Sequence, residues 1–417
     1  MPKLLVVEVD PSGECKKTQY KPFIERGYDL HFLIGSAKNA HLYQPNVRIV
    51  PGHMAQDFVD AATVWHEQVN FDAVVTLTEF SVIATSLIAS AIGKPGVDLA
   101  AALVCRNKFH MRQAHEKGDV RHPAFALVHD TSEAAAFADH IGYPVVIKPT
   151  LGAGSEHIYK ITNRNQMFEY FPKAVHGISI HSYADSEPRI ADRGPNGLLV
   201  EAYLNGNEHS LEAWVWDGRV TIGAIGDRLS PEANLFDNDI YTMPTRLTNI
   251  QIEEICRLVE KAAKAQGITR GVLHPEIRYH EGVPFLVEMG ARAGGGPISH
   301  MTREAYGYCP VTASFDIASG IKPTQPAMEP TGKVVLAIAM ICEEGRIEHV
   351  SIPPEAENSR NLIYFKIFLS PGDINLRPPH GNILLGQICA VGDTLEEAYQ
   401  HADSIYKRVA VTLRAIN

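Results

Sequence analysis

The sequence predicts an α/β protein that opens with a doubly wound, mainly parallel sheet and continues into further sheet-bearing modules. Three observations predict it. Buried-type strand patterns alternate with helical ones through the first hundred residues. The 417 residues exceed what a single core usually organises, so two or three domains are expected. After residue 120 the pattern changes, and strand-like runs meet at glycine-rich turns near 151–157 and 280–282.

The elements follow in order. Runs at 3–9 and 28–34 are mainly apolar and read as buried strands. A helical pattern at about 55–69 leads to a third strand at 71–77. A helix at about 80–92 closes at Gly93, with Pro95 beyond it. No G-x-G-x-x-G follows the first strand, which argues against a dinucleotide site there. This domain is expected to end near 103. Asn107 then caps a helix that starts at Lys108 and runs to about Lys117.

Residues 122–200 read as a small separate module. Strands at 145–148 and 158–161 flank LGAGSEH, residues 151–157. A glycine-rich turn there leaves backbone N–H groups able to cradle an anion, and Lys148 adds a point charge for phosphate. No Gly-Lys-Ser/Thr follows, so the loop is not a Walker A motif, and a hairpin turn beside a surface lysine is the other reading. A strand at 198–204 carries Glu201 inside an apolar run, where a carboxylate calls for a fixed donor. Glu208, Ser210 and Glu212 then alternate along one face of the next strand.

Residues 271–296, GVLHPEIRYHEGVPFLVEMGARAGGG, place acids where an apolar hairpin should exclude them. Alternation puts His274, Glu276 and Arg278 on one face and Leu273, Ile277 and Tyr279 on the other. On the return strand Phe285, Val287 and Met289 share a face opposite Glu288. Pairing Tyr279 with Val283 would set Glu288 across from His274 and diagonal to Glu276. Two carboxylates about 5–8 Å apart on one face would repel unless a cation lay between them. Mg²⁺ commonly takes such a pair together with substrate phosphates. Arg292 and the glycines 294–296 follow at once, where backbone can approach a ligand closely.

Past 331, runs at 334–342, 362–369 and 386–392 read as strands. An amphipathic helix over 394–416 is expected to start at Thr394, with Glu397 completing a capping box. The strands at 334–342 and 362–369 are also candidate oligomer surfaces, and a homodimer is a common arrangement for a chain of this size.

Composition narrows the class. A net charge of −10 and no Lys/Arg run longer than two argue against nucleic acid or an anionic membrane as partner. Six scattered cysteines without a CxxC pair fit neither zinc nor a disulfide framework and suit a reducing, cytoplasmic setting. The opening MPKLLVVEVD is too short and too soon acidic for a signal peptide, and no apolar stretch approaches 18 residues.

Taken in order, Lys108 in RNKFHMRQ, Lys148 in VVIKP, the loop GAGSEH, the hinge VEAYLNGNEHS, HPEIR and VEMGARAGGG resemble the ATP-grasp superfamily over about residues 104–300. The form E-x-G-A-R-x-G-G looks most like the L-amino-acid ligases that join two amino acids into a dipeptide. The resemblance implies an N-terminal α/β domain at 1–103, an ATP-grasp domain at 104–330 with a lid at about 122–200, and a C-terminal sheet-plus-helix subdomain at 331–417. It implies ATP as cosubstrate and Mg²⁺, two ions with Mn²⁺ able to substitute. Small-molecule carboxylate and amine substrates would be joined through an acyl phosphate.

By the same resemblance Lys108 and Lys148 would contact the phosphates, with Gly152, Gly154 and Ser155 in the loop that closes over them. Glu201 and the backbone of Ala202 and Leu204 would read adenine, and Glu208 would hold the ribose. Glu276 and Glu288 would bridge the metal ions, and Arg292 would act on the transferring phosphoryl group. His274, Arg278, Gly294 and Gly295 are candidate substrate contacts, as is Arg228 in the polar stretch 227–241. Many relatives carry Asn where this chain has Gly290, which puts a third protein metal ligand in doubt. A nucleotide-biosynthesis or carboxylase-type enzyme, or a small-molecule kinase on the same scaffold, is the alternative.

Overall fold

Four short apolar strands build the N-terminal sheet. In the computed structural model β1 (Lys3–Glu8), β2 (Asp29–Ile34), β3 (Val47–Ile49) and β4 (Ala73–Val75) run parallel in the order β3-β2-β1-β4. The structure describes all residues except 1, 10–18, 21–22, 25–26, 38–39, 44, 53, 155–156, 181–196, 230–239, 325–327, 377–383 and 417. Burial on both faces explains why apolar residues dominate these strands. Leu5 and Val7 share a core with residues of α1 (Ala55–Val69) and α2 (Val82–Ala91). Leu4 and Val6 face a second core that includes Phe315 of α9 (Pro310–Ala318). The sheet is thus covered on both sides as expected, but one side is closed by a helix distant in sequence.

Next come α3 (Leu99–Arg106) and α4 (Lys108–Lys117). Asn107 caps α4, its side-chain oxygen accepting from the amides of Phe109 and His110 at 3.0 and 3.2 Å. Ala101, Ala102 and Cys105 of α3 pack into the central core. The boundary expected at 103/104 therefore falls inside a helix, and we propose that the break lies before α3.

The small module comprises β5 (Phe125–Val128), α5 (Thr131–Ile141), β6 (Val145–Pro149), β7 (Tyr159–Ile161), α6 (Arg164–Ile180) and β8 (Leu198–Ala202). Its antiparallel sheet runs β5-β8-β6-β7. The fully buried members of its apolar core all come from residues 128–200, which suits a body that moves as a unit.

An eight-stranded antiparallel sheet forms the centre, in the order β13-β12-β9-β10-β11-β14-β18-β16. Its strands are β9 (Glu208–Trp216), β10 (Arg219–Leu229), β11 (Ile240–Met243), β12 (Arg270–His280), β13 (Val283–Gly290), β14 (Val334–Ile341), β16 (Leu362–Ile367) and β18 (Leu384–Gly392). The C-terminal portion completes this sheet. β14 lies between β11 and β18, so 334–342 is an interior strand and not an oligomer surface, whereas β16 is an edge. The amphipathic helix is α11 (Leu395–Tyr406), with Thr394 accepting from the Glu397 amide at 3.2 Å. It does not reach 416. The run Val409, Val411, Thr412 is stiff at Cβ and favours β structure, and Ala410–Arg414 is a strand, β19, paired with β15 (Gly345–Ser351).

The hairpin register differs from expectation. Glu281 and Gly282 both take positive φ, 52° and 78°, forming a tight two-residue turn of the kind that matches strand twist. His280 therefore pairs with Val283, and Tyr279 with Pro284. A bulge then places Val287 as an extra residue between Leu286 and Glu288. Two consequences follow. Glu276 lies directly opposite Glu288, not diagonal to it, and His274 faces Gly290. Leu286 and Met289 enter the core while Val287 turns towards the cleft, so the expected face shared by Phe285, Val287 and Met289 does not form.

Candidate active site

One cleft of about 380 Å³ lies between the small module and the central sheet. Lys108, Lys148, Gly152, Gly154, Glu201, Ala202, Leu204, Glu208, Arg228, His274, Glu276, Arg278, Glu288, Arg292 and Gly295 all line it. Gly294 does not: its amide donates to both oxygens of Glu212 at 3.0 and 3.1 Å, tying the glycine turn to β9. Ser155 lies outside the described residues, as does the middle of 227–241, whose ends belong to β10 and β11.

At the end nearest the hinge, Glu201 is buried between two cations. It accepts from Arg112 Nε at 2.7 Å and pairs with Lys148 Nζ at 2.6 Å. Burial would raise its pKa, but Arg112 and Lys148 together outweigh this and hold it below the ordinary carboxylate range. For Lys148, burial wins over Glu201, and its ammonium is easier to deprotonate than usual. Two fixed donors for the Glu201 carboxylate are therefore protein side chains, those of Arg112 and Lys148. The Ala202 amide is used by Ala124, whereas the Leu204 amide finds no acceptor among the described residues. Glu208 is similarly engaged, by Arg228 at 2.5 Å and Arg278 at 2.7 Å. A ribose hydroxyl would share that carboxylate with two arginines.

At the other end Glu276 and Glu288 face each other across β12 and β13. Lys108 Nζ reaches Glu288 at 3.0 Å and the carbonyl of Gly152 at 2.7 Å, linking α4, the glycine loop and the acid pair. His274 sits behind Glu276, its Nε2 3.7 Å from that carboxylate and its Nδ1 2.5 Å from fully buried Glu212. Burial disfavours the imidazolium, but Glu212 overrides it and lifts the pKa to about 10. Burial likewise opposes ionisation of Glu276, yet His274, Arg228 and Lys108 hold it down at about 2. Glu276 is thus held ionised, and both acids face protein cations.

Among the described residues no cluster of three or more His, Cys, Asp or Glu side chains is arranged to hold a metal. Two opposed carboxylates still fit Mg²⁺, which usually completes its shell with phosphate and water. Ser210 sits beside Glu276 in the β9–β12 ladder, 4% exposed, with its hydroxyl unpartnered. An orphaned hydroxyl next to two acids is what a polar ligand would satisfy. The donor set suits a nucleotide–Mg²⁺ complex. Residues 141–300 match the ATP-grasp domain model, a span that contains this constellation except Lys108 and Arg112.

The chain carries an ATP-grasp domain.

Residues 337–414 match the L-amino acid ligase C-terminal domain 2 model. The chain is 23% identical over 313 residues to the L-arginine-specific L-amino acid ligase of Bacillus subtilis, covering 73% of this chain and 71% of that one. It is 24% identical over 284 residues to carnosine synthase 1 of Gallus gallus, covering 66% of this chain but only 30% of that longer protein. The crystal structure of the L-amino acid ligase from Bacillus licheniformis shares the fold along 99% of both chains, with a TM-score of 0.79 at 19% identity. The ATP-grasp fold of the α/β chain is therefore shared from end to end.

Several residues of the ATP-grasp cleft carry no motif. Arg112 was legible in principle, one helical turn after Lys108 on the same face. Glu212 alternates with Glu208 and Ser210 but reads equally well as a solvated face. Glu79 belongs to the N-terminal domain, where only its place just after a buried strand marks it. The C-terminal sheet adds Ala337, Ile338, Ala339, Leu384 and Gln387 to the lining, and nothing local announces them. Among the described residues no helix is long and apolar enough to cross a membrane.

Proposed function

We propose that this ATP-grasp chain is an ATP- and Mg²⁺-dependent carboxylate–amine ligase that joins two amino acids, or amino-acid-like metabolites, through an acyl phosphate. The observation that carries the reading is one cleft in which the opposed acids Glu276 and Glu288 adjoin Lys108 and Arg292. Lys148 and the glycine loop lie along the same wall. Phosphoryl transfer needs positioning and charge neutralisation more than covalent help, and this set supplies both.

Lys108, Lys148 and the backbone at Gly152 and Gly154 would hold the triphosphate. The Leu204 amide would read the adenine edge, with Ala202 beside it. Glu276 and Glu288 would hold two Mg²⁺ ions, or Mn²⁺ in their place, which would neutralise charge on the β- and γ-phosphates. The carboxylate of the first substrate attacks the γ-phosphorus and ADP leaves. The amine of the second attacks the acyl carbon, the C–O bond to phosphate breaks, and the amine proton passes to solvent. Arg292 would hold the oxygen that gains charge in each step, a contact whose removal typically costs about 3–4 kcal/mol of barrier. Because acyl phosphates hydrolyse in water, the small module would act as a lid that excludes solvent. Arg278, Arg228, His274 and Gly295 line the wall where the substrates would lie. A cytoplasmic setting belongs to the same proposal, since no disulfide joins the cysteines among the described residues.

The test is product analysis with amino-acid pairs: ADP, phosphate and a new amide should appear in equal amounts. AMP and pyrophosphate, or a stable phosphorylated metabolite without free phosphate, would overturn the reading.

A further inference from the structure

The N-terminal domain reaches Arg292, at the reacting end of the cleft, through Glu79. Glu79 lies just beyond β4, at the carboxyl end of the parallel sheet. Strand order there runs outward from β1 in both directions, and crevices at such reversals are where α/β sheets present ligand-directed residues. Glu79 is 6% exposed and spans two arginines. Its Oε2 accepts from Arg292 Nε at 2.5 Å, and its Oε1 from Arg106 Nη1 at 3.3 Å. Arg106 in turn donates to the carbonyl of Leu151, the residue before Gly152, at 3.1 Å.

Arg292 has a second anchor, since its Nη1 donates to the carbonyl of Ala293 at 2.8 Å. Two anchors on the Nε and Nη1 atoms fix the plane of a guanidinium and leave Nη2 to face a ligand. Gly290 completes the arrangement. A Cβ there would stand 3.1 Å from Glu79 Oε2, tight enough to press on the carboxylate. This is the position where the ATP-grasp resemblance predicts Asn, so absence of a side chain here coincides with entry of Glu79. Burial would raise the Glu79 pKa, but Arg292, Arg106 and Lys108 outweigh it, and the carboxylate stays charged.

We infer that Glu79 is a positioning residue for the reaction: it orients Arg292 towards the transferring phosphoryl group, and Gly290 makes room for it. This rests on the ligase reading above. The N-terminal domain is then part of the catalytic apparatus and not only a platform for substrate.

The experiment is a double-mutant cycle of Glu79→Gln and Arg292→Ala, followed by ADP release with a productive amino-acid pair. Glu79→Gln should lower kcat about 100-fold, the scale expected when a reacting group is misplaced, with KM for ATP within about twofold of the parent. The double variant should be about as slow as Arg292→Ala alone, because residues acting as a unit are not additive. Gly290→Ala should lower kcat in the parent and not in the Glu79→Gln background. Losses that multiply, or a Glu79→Gln enzyme with parental kcat, would overturn the inference and leave the ligase reading intact. The Arg292 Nε–H resonance, assigned through Arg292→Lys, gives a readout without turnover. It should be protected from solvent exchange in the parent and lose that protection in Glu79→Gln. If the parent makes no amide at all, the ligase reading fails, and an Nε–H resonance indifferent to Glu79→Gln overturns the positioning role on its own.

Discussion

Replacing Glu201 by Gln probes the hub at the nucleotide end of the cleft. The change keeps the shape and removes the charge shared by Arg112, whose side chain is fully buried, and Lys148, which is 5% exposed. Breaking a buried ion pair from one side costs about 3–5 kcal/mol. A glutamine oxygen can still accept one hydrogen bond, so the lower end, about 3 kcal/mol, applies here. At about 2–4 °C per kcal/mol for a domain of this class, Tm without nucleotide should fall by roughly 6–12 °C. A second effect follows from Lys148. Burial already lowers its pKa, and Glu201 is the group that opposes this. Without Glu201 the ammonium is lost at still lower pH, so affinity for a non-hydrolysable ATP analogue should weaken, and weaken further as pH rises. Thermal unfolding and calorimetric titration at pH 7 and 9 check both. A Tm within a degree or so of the parent, with equal affinity at both pH values, would refute this account of Glu201.

Two further predictions concern the acid pair. Glu288→Gln removes one of the opposed carboxylates and the partner of Lys108, so ATP turnover should nearly vanish while the fold persists; normal turnover with an unchanged Mg²⁺ requirement would take Glu288 out of the metal site. His274 has its pKa raised in the folded state, from 6.5 to about 10. Its stabilisation is therefore complete below pH 6.5 and disappears as pH rises through about 10. The Tm difference between parent and His274→Gln should be largest near pH 6 and fade towards pH 10. A difference that stays constant, or grows, over that range would contradict the Glu212–His274 pairing.

Much of the fold was legible because its signals are local. The runs at 3–9 and 28–34 are dominated by apolar residues, as a doubly covered strand requires, and Asn107 and Thr394 cap helices through contacts three residues away or fewer. The hairpin register was misread for a physical reason. A bulge inserts one residue without changing composition, so Val287 gives no sign that Glu288 faces Glu276 squarely. The candidate site divides along the same line. Lys148, Glu201, Glu276 and Glu288 stand out as charges inside apolar runs, a pattern that needs explanation wherever it occurs. Glu79, Arg112 and Gln387 approach the cleft from separate elements, and their roles depend on packing between units. Glu201 shows both sides: the sequence demanded a donor for it, and only the fold reveals that Arg112 and Lys148 are the donors.

The central claim is that substrate oxygen passes to phosphate through an acyl phosphate held between Arg292 and the Glu276–Glu288 pair. An amino acid labelled with ¹⁸O in its carboxylate, incubated with ATP, Mg²⁺ and a productive amine, tests it directly. Mass analysis of the released phosphate should show one ¹⁸O for each amide formed. Unlabelled phosphate, or label recovered in AMP, would contradict the account.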